Sequence, residues 1–327
     1  MYNQIEAILS QYDMEIDEIV KGRGVYICNS NKGRYVLTGF RGAEEKGQLL
    51  CNYLVELKNL GFVVPQIEKN KKNEIVSIDE GTGERFLLKE YVEGSELNVN
   101  QLQELKEAIS LLAEYHKAAI VIYQDMDRTI VDGDKDVMAE KEKHYKELVK
   151  ARNYIRSRKK KQEFERVYLN AYESMLQTAK ESLGILDKKS DTQPNFCICH
   201  GEYNQHNVIH VERRWQVINF EEFLFGWSIL DLAFFLRKIL EKNEWDISIG
   251  KQLLESYTKV RPLSAVEYEK LYGLLLFPEK FWKVTNHYMN SRKSWISERD
   301  IEKLKKVIAQ ENQRLNFLEN VFAIQKE

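Results

Sequence analysis

Apolar and polar positions in the first third of the chain follow patterns typical of a small sheet with one helix. Four segments have strand-like patterns: 24–30, 34–40, 74–78 and 85–92. The first two are rich in β-branched and aromatic residues and flank Asn31-Lys32-Gly33, which predicts a hairpin turn. From Glu44 to Leu60 the apolar residues recur at helical spacing, and Gly61 follows as a helix stop. These residues therefore predict a small antiparallel sheet and a single helix.

The pattern changes to helical spacing after Gly94 and stays helical for most of the remaining chain. One apolar stripe runs through residues 102–118, and a strongly charged helical stretch covers 136–184. Strand-like sequence returns at 196–222, where a hairpin is predicted. From Ile229 to the end the pattern is again helical.

The order of these patterns predicts an α+β fold with two lobes. The N-lobe, residues 1–92, would hold the small antiparallel sheet and its helix. The C-lobe, residues 93–327, would be large and mainly helical, and it would contain the hairpin near residue 200. Each lobe is long enough to bury a hydrophobic core. A ligand would be expected to bind in a cleft between the lobes.

Composition supports a globular protein and excludes several functional classes. Of the 327 residues, 43% are hydrophobic and 31% are charged, as in folded domains. The formal net charge of −2 provides no overall positive field that would attract nucleic acid. The most apolar stretch, 223–236, is interrupted by Asp231 and is too short to span a bilayer. Because the N-terminus lacks a basic-then-apolar export pattern, folding in a reducing cytoplasm is predicted.

Two short sequences suggest further functions, and each has a simpler interpretation. Cys197-x-Cys199 followed by His200 could belong to a zinc site, but alternate small residues of a strand explain it better, since a second ligand pair is missing. The basic run 156–161 could bind an anionic partner, although a solvated helix face accounts for it more simply. The cysteines are too few to suggest a disulfide framework: Cys28, Cys51, Cys197 and Cys199.

The candidate chemistry lies between residues 197 and 221, where polar side chains have a spacing that suits phosphoryl transfer. That reaction needs a positioned hydroxyl group and cations that neutralise the phosphates. Glu202 could orient the attacking hydroxyl, and the carboxamide of Asn207 could reach a magnesium ion. Glu221, beyond the predicted hairpin, supplies another carboxylate, and magnesium in proteins usually takes one or two carboxylates with phosphate and water.

Three motifs, in this order, resemble the aminoglycoside phosphotransferase and choline kinase superfamily. His200-Gly201-Glu202 with Asn207 is similar to its H-G-D-x-x-x-x-N, Ile218-Asn219-Phe220-Glu221 to I-D-F-D/E, and Gly226 with Asp231-Leu232-Ala233 to G-x-x-x-x-D-L-A. The loop 199–209, CHGEYNQHNVI, and residues 277–296 look most like the spore coat protein S (CotS) branch. The resemblance covers most of the chain and implies a two-lobed protein-kinase-like fold.

The resemblance also implies a role for each matching residue, with ATP and Mg²⁺ as cofactors. The implied residues are Glu202 and His200 for catalysis, Asn207, Asn219 and Glu221 for the metal, Thr38, Glu90 and Val92 for the nucleotide, and Asp231 for structure. In another interpretation, His200 and Asp231 are purely architectural, buried and hydrogen-bonded to the loop backbone.

Three positions depart from the family pattern where charge matters most. Glu202 replaces the catalytic aspartate, and a misplacement of about 1 Å can cost about a hundredfold in rate. Asn219 replaces a metal-binding aspartate and brings no charge, and Thr38 replaces the lysine that clamps the phosphates. Lys89 stands where the family tends to have an apolar residue beside the adenine, and an inward-facing charge would disfavour that pocket. We therefore predict that the fold is retained and the reaction is lost.

The resulting prediction is a spore coat protein of the CotS type with a degenerate phosphotransferase site and a structural or ligand-binding role. ATP and Mg²⁺ are expected to bind weakly or not at all. Other spore coat proteins or coat polysaccharide are the predicted partners, with a small-molecule ligand as a further candidate. Neither nucleic acid nor a transmembrane segment is expected. The protein is expected in the mother-cell cytoplasm, from which it would be assembled onto the spore coat.

Two alternatives remain open at the level of sequence. The first is an active kinase that phosphorylates a hydroxyl or amine of a choline-, aminoglycoside- or sugar-like acceptor, using Glu202 as base and Asn207 with Glu221 for magnesium. The second is a regulatory module that binds ATP without turnover. Magnesium-dependent nucleotide binding separates the degenerate protein from both alternatives, and turnover separates the two alternatives from each other.

Overall fold

The computed structural model describes residues 2–22, 24–126, 136–189, 192–291 and 297–322. The strands are β1 (Ile16–Lys21), β2 (Val25–Ser30), β3 (Gly33–Gly39), β4 (Ile67–Glu68), β5 (Ser77–Ile78), β6 (Arg85–Glu90), β7 (Ser95–Glu96), β8 (Phe196–Cys199), β9 (Val208–Val211), β10 (Arg214–Val217) and β11 (Leu224–Trp227). The helices are α1 (Tyr2–Leu9), α2 (Glu44–Asn59), α3 (Leu102–Asp125), α4 (Val137–Ser157), α5 (Glu163–Asp187), α6 (Ile229–Leu240), α7 (Ile247–Val260), α8 (Ala265–Leu276), α9 (Glu279–Asn290), α10 (Glu298–Ala309) and α11 (Glu311–Phe322). The predicted α+β class is confirmed.

The chain forms two compact units. The first consists of Met1–Asn98, Tyr115–Asp132 and Cys197–Leu224, and the second of Val99–Glu114, Gly133–Phe196 and Phe225–Glu327. The first unit contains the small sheet together with the loop that carries the candidate chemistry. The second unit contains most of the helices. The predicted boundary cuts the chain once, at residue 92, whereas each compact unit consists of three separate segments. The boundary at residue 92 stays a prediction.

The sheet of the first unit is antiparallel, with the strand order β1-β2-β3-β6-β4 and with β5 also paired to β6. Between β3 and β6, Thr38 lies opposite Leu87 and Val36 lies opposite Lys89. Residues two apart on a strand point to the same face of a sheet. The side chains of Thr38 and Lys89 therefore share one face and are diagonal neighbours.

The other face of the sheet is covered by α1. Leu37 and Leu88 lie on this face, and they belong to one buried cluster with Ile5, Ile8 and Leu9 of the helix. The sequence prediction did not include α1 or β1, although the spacing of these apolar residues is helical. With that face already buried against α1, the face of Thr38 and Lys89 is the one left for the candidate site.

Helix α2 is fixed to the sheet by its first turn. The carboxylate of Glu44 accepts hydrogen bonds from the backbone amides of Ile75 and Val76, each at 2.8 Å. Gly47, one turn later, lies so close to Val76 that a Cβ at this position would be 2.6 Å from its side chain. The close approach requires glycine, and it holds the helix against the segment that leads into β5.

The second unit has a core of aromatic and aliphatic side chains from α4, α5, α9 and α10. Its fully buried members include Leu148, Phe164, Tyr168, Phe281 and Leu304. The rings of Tyr168 and Phe281 stack with their centroids 5.1 Å apart, and aromatic contacts of this kind add to the stabilisation from buried area. No helix in the described part of the chain is both long enough and apolar enough to cross a membrane.

The charged stretch predicted as helical at 136–184 is divided into α4 and α5. Glu165 explains the division, because its carboxylate accepts a hydrogen bond from the backbone amide of Gln162 at 2.7 Å and pairs with Arg158 at 2.9 Å. These contacts give a partner to the backbone amide at the start of α5 and pair the carboxylate of Glu165 with a cation from the turn. The basic run 156–161 thus lies at the connection between the two helices, where Arg156 also pairs with Glu173.

Candidate active site

His200 is a buried residue that organises the loop after β8. Its Nδ1 accepts a hydrogen bond from the backbone amide of Glu202 at 3.1 Å, and its Nε2 lies 2.9 Å from the carbonyl oxygen of Ile218. Since Nδ1 accepts, the ring proton belongs on Nε2, which donates to that carbonyl. The ring also packs against Phe220, with centroids 4.8 Å apart. These contacts give His200 a positioning role in the loop, and its assignment as a catalytic residue stays a prediction.

The side chain of Glu202 is exposed, whereas its backbone is tied into the loop. Its carbonyl oxygen accepts hydrogen bonds from the side-chain amides of Asn204 at 2.8 Å and Asn207 at 2.9 Å. The preceding Gly201 has a φ of 82°, and a Cβ there would collide with the carbonyl oxygen of Glu222. Glycine is therefore required for the loop to approach the segment after β10.

Substitution of Gly201 by alanine should lower the free energy of unfolding by at least about 2 kcal/mol. Alanine would have to adopt the left-handed backbone conformation of Gly201, and its Cβ would also clash with Glu222. Urea unfolding followed by circular dichroism measures the change. Gly184 is a matched control, since it lies exposed within α5 and a Cβ there meets nothing within 4 Å. Gly184→Ala should stabilise the helix by about 0.5–1 kcal/mol. Equal unfolding midpoints for Gly201→Ala and the parent would contradict the loop geometry.

The hairpin of β9 and β10 brings Asn207 and Asn219 together. Val208 and Val217 pair at its open end, and the next residue on one side, Ile218, donates its backbone amide to the carbonyl of Asn207 at 3.0 Å. Asn219 follows with a φ of 62°, a left-handed conformation that asparagine tolerates better than most residues. From there its side-chain amide donates to Oδ1 of Asn207 at 2.9 Å.

Lys89 reaches the same place from β6. Its side chain faces inward, and its Nζ donates to Oδ1 of Asn219 at 2.7 Å and to Oε1 of Glu221. The short path from β6 to β7 makes this possible, since β7 pairs with β9 directly after Gly94. At Gly94 a Cβ would lie 2.5 Å from the carbonyl oxygen of His210, so the two segments approach closely. The question of whether Lys89 faces inward, which the sequence leaves open, is thereby answered.

The three predicted metal ligands therefore form one hydrogen-bonded group that already contains a cation. Asn219 donates its amide to Asn207, and the oxygens of Asn219 and Glu221 are both bonded to the ammonium of Lys89. This arrangement does not fit Mg²⁺, because a divalent ion among the same oxygens would lie beside a buried positive charge. In the part of the chain that the structure describes, no group of three or more His, Cys, Asp or Glu side chains could hold a metal ion.

The residues assigned to nucleotide binding lie on or just after the central strands. Thr38 is half-buried near the end of β3. The backbone amide of Glu90 donates to the backbone carbonyl of Gln66 at 2.9 Å. The carboxylate of Glu90 accepts a hydrogen bond from the backbone amide of Gln66 at 3.0 Å. Val92 follows β6 and is half-buried. The nucleotide-binding roles of these three residues stay predictions.

The first half of α2 carries polar side chains whose hydrogen-bond partners lie within the first unit. Glu44, at its start, is bonded to the backbone amides of Ile75 and Val76. Further along, Gln48 donates its side-chain amide to the side chain of Asn52 at 2.8 Å. Glu44 is therefore engaged with the backbone that leads into β5, whereas Gln48 pairs with Asn52 within the helix.

Asp231 is buried in the first turn of α6, in the second compact unit. Burial of a carboxylate requires polar partners, which agrees with a structural residue rather than an exposed reactive one. The predicted hydrogen bonds from Asp231 to the loop at 200–202 stay a prediction. Residues 292–296, the end of the segment that resembles the CotS branch, lie outside the described residues.

Comparison with known proteins relates the whole chain to spore coat proteins. A family model described as "Spore coat putative kinase YutH" matches residues 5–321. Spore coat protein S of Bacillus subtilis (strain 168) is 21% identical over 340 residues, an alignment that covers 99% of this chain and 95% of that protein.

Two solved structures, of a phosphotransferase and of a kinase, superpose on nearly the whole chain. An aminoglycoside phosphotransferase from Alicyclobacillus acidocaldarius superposes with a TM-score of 0.79 at 20% identity, over 97% of this chain and 94% of that one. The amicoumacin kinase hAmiN, in a complex with AMP-PNP and Ca²⁺, superposes with a TM-score of 0.64 at 14% identity, over 97% and 92% of the two chains. The predicted kinase-like fold is confirmed by these likenesses.

Proposed function

Because the chain belongs to the YutH family of spore coat proteins, we propose that it is a coat-associated protein whose kinase-like fold no longer catalyses phosphoryl transfer. The family match confirms the resemblance predicted from the three motifs. The proposed role in the coat is structural or ligand-binding. The protein would bind other coat proteins or coat polysaccharide after synthesis in the mother-cell cytoplasm, and a small-molecule ligand is a further candidate.

One observation carries the loss of activity: the ammonium of Lys89 is bonded to Asn219 and Glu221, where the family resemblance implies a metal ion. Phosphoryl transfer depends on cations that neutralise the phosphates. Lys89 contributes little charge to an incoming phosphate, because Glu221 already balances it. Two departures add to this effect, since Thr38 is uncharged and Glu202 has a longer side chain than the family's aspartate.

We expect the purified protein to show no phosphoryl transfer above background on choline, aminoglycoside or sugar acceptors with ATP and magnesium. Release of ADP in a coupled assay and transfer of labelled phosphate to the acceptor are the two measurements. An active aminoglycoside phosphotransferase in the same assay controls for detection. A thermal-shift screen with ATP, ADP and GTP, each with and without magnesium, should show no magnesium-dependent increase in Tm. Turnover that disappears in Glu221→Ala and Asn207→Ala would overturn the proposal.

A second candidate is an active small-molecule kinase in which Lys89 has replaced the missing phosphate-clamping lysine. The register of β3 and β6 favours it, because Lys89 is the diagonal neighbour of Thr38 on the same face of the sheet. In that case an incoming nucleotide would compete with Glu221 for the ammonium. Lys89→Met would then abolish turnover and nucleotide binding, whereas the proposed inactive protein has no turnover to lose.

A further inference from the structure

Lys89 is buried more deeply than a lysine without partners would tolerate. Its side chain is 6% exposed, and that of Glu221 is 14% exposed. Removing an ammonium from water costs several kcal/mol unless anions and other acceptors replace the lost hydration. The acceptors here are one carboxylate oxygen and one carboxamide oxygen, both from the segment after β10. Oxygens of these two kinds are also the ligands that hard divalent cations prefer.

The segment that binds this ammonium carries one negative charge, that of Glu221, which equals the single positive charge of Lys89. The motif I-D-F-D/E of the resembling family contains two carboxylates, whereas Ile218-Asn219-Phe220-Glu221 contains only one. A single carboxylate balances an ammonium, whereas a divalent cation at this place would need further negative charge, such as that of a phosphate. Asn219 in place of aspartate and a lysine at position 89 therefore form a consistent pair of changes.

The ammonium also connects segments that are far apart in sequence. Lys89 belongs to β6, and its acceptors follow β10. Through Asn219 the hydrogen bonds continue to Asn207 at 2.9 Å, and from the amide of Asn207 to the carbonyl of Glu202 at 2.9 Å. The strand and both loops of the site are thus joined by one continuous set of contacts centred on a cation.

We propose that Lys89 is a built-in monovalent cation that has taken the place of a divalent metal and holds the site together without one. This inference rests on the proposed function and adds to it the identity of the site's own cation. The consequence is a latent metal site. Removing the ammonium and restoring the second carboxylate should let Asn207, residue 219 and Glu221 bind a divalent cation directly.

The test uses Mn²⁺ alone, followed by electron paramagnetic resonance of the unbound ion. The unmodified full-length chain should show no saturable site up to millimolar Mn²⁺. The double variant Lys89→Met/Asn219→Asp should bind one Mn²⁺ saturably, with a Kd at least about tenfold below the highest concentration tested, and added Mg²⁺ should compete for it. Adding Glu221→Gln to the double variant should abolish the binding. A folded double variant that binds no Mn²⁺ would overturn the latent site.

A matched control is Lys270→Met combined with Asn219→Asp. Lys270 is equally buried, but its ammonium donates to three backbone carbonyls, those of Ile185, Leu186 and Lys188. This variant loses a buried ammonium and gains the same carboxylate, yet it keeps Lys89 beside Glu221. It should bind no Mn²⁺. Binding equal to that of the Lys89 variant would show that the new carboxylate suffices, and the proposal would fail.

A measurement on the unmodified protein remains decisive where a variant fails to fold. Acetylation of lysine amines by an N-hydroxysuccinimide ester, followed by mass spectrometry, should modify Lys89 at least about tenfold more slowly than the exposed Lys72. EDTA or Mg²⁺ should leave the rate at Lys89 unchanged. Equal rates at the two lysines would overturn the buried cation. Phosphoryl transfer by the unmodified protein would overturn the proposed function, whereas Mn²⁺ binding and acetylation decide the role of Lys89.

Discussion

The triple variant Thr38→Lys, Glu202→Asp and Asn219→Asp should bind ATP with magnesium no better than the unmodified protein. All three changes restore residues of the family pattern, so the sequence alone would suggest that binding returns. The structure predicts otherwise, because Lys89 would remain and a new carboxylate at position 219 would pair with its ammonium. The two carboxylates would then balance Lys89 and have less charge available for Mg²⁺.

Addition of Lys89→Met to the triple variant should restore magnesium-dependent binding. We expect at least about a tenfold decrease in the Kd for ATP, which corresponds to about 1.4 kcal/mol. Isothermal titration calorimetry with and without magnesium measures both variants. Lys270→Met in place of Lys89→Met is the matched control, since it removes an ammonium of similar burial outside the first unit. Tight magnesium-dependent binding by the triple variant itself would show that Lys89 does not block the metal position.

The parts of the fold that the sequence predicts well are those with strong local patterns. The hairpin around Asn31-Lys32-Gly33 and the helix after Glu44 lie where alternation, helical spacing and turn residues place them. The division of the stretch 136–184 was missed, because it depends on Glu165 pairing with Arg158 after the chain has turned. Such a contact has no signature in the helical spacing of apolar residues.

In the candidate site, too, the sequence predicts the contacts that depend on local spacing but not those that depend on distant residues. The motif spacing predicts that Asn207 and Asn219 come together, since a hairpin between them fixes their distance. The inward orientation of Lys89 could not be decided, because it depends on strand register and on partners about 130 residues later in the chain. A lysine directly after the apolar run Phe86-Leu87-Leu88 of a predicted strand was the available signal. Together with Asn219, which stands where the family has an aspartate, this lysine could have suggested the ion pair with Glu221.

The second large effect is expected on stability, from Arg314→Ala in α11. The guanidinium of Arg314 donates to the carbonyls of Leu275 and Leu276 at 2.7 and 2.8 Å, and so caps the end of α8. It also forms two hydrogen bonds with Glu311, at 2.9 and 2.6 Å. The side chains of the ion pair are only 8% and 12% exposed. Removing one partner leaves a buried carboxylate and two helix carbonyls without their donor, which should cost about 3–5 kcal/mol.

Denaturant unfolding of Arg314→Ala against Arg156→Ala tests this expectation. Arg156 pairs with Glu173 at 3.2 Å, but the two side chains are 54% and 69% exposed, so the loss should be below about 1 kcal/mol. Arg314→Lys should recover only part of the stability, because an ammonium cannot make the planar, forked contacts of the guanidinium. Losses of similar size for Arg314→Ala and Arg156→Ala would mean that Arg314 does not cap α8. Its contacts would then contribute no more than an ordinary surface ion pair.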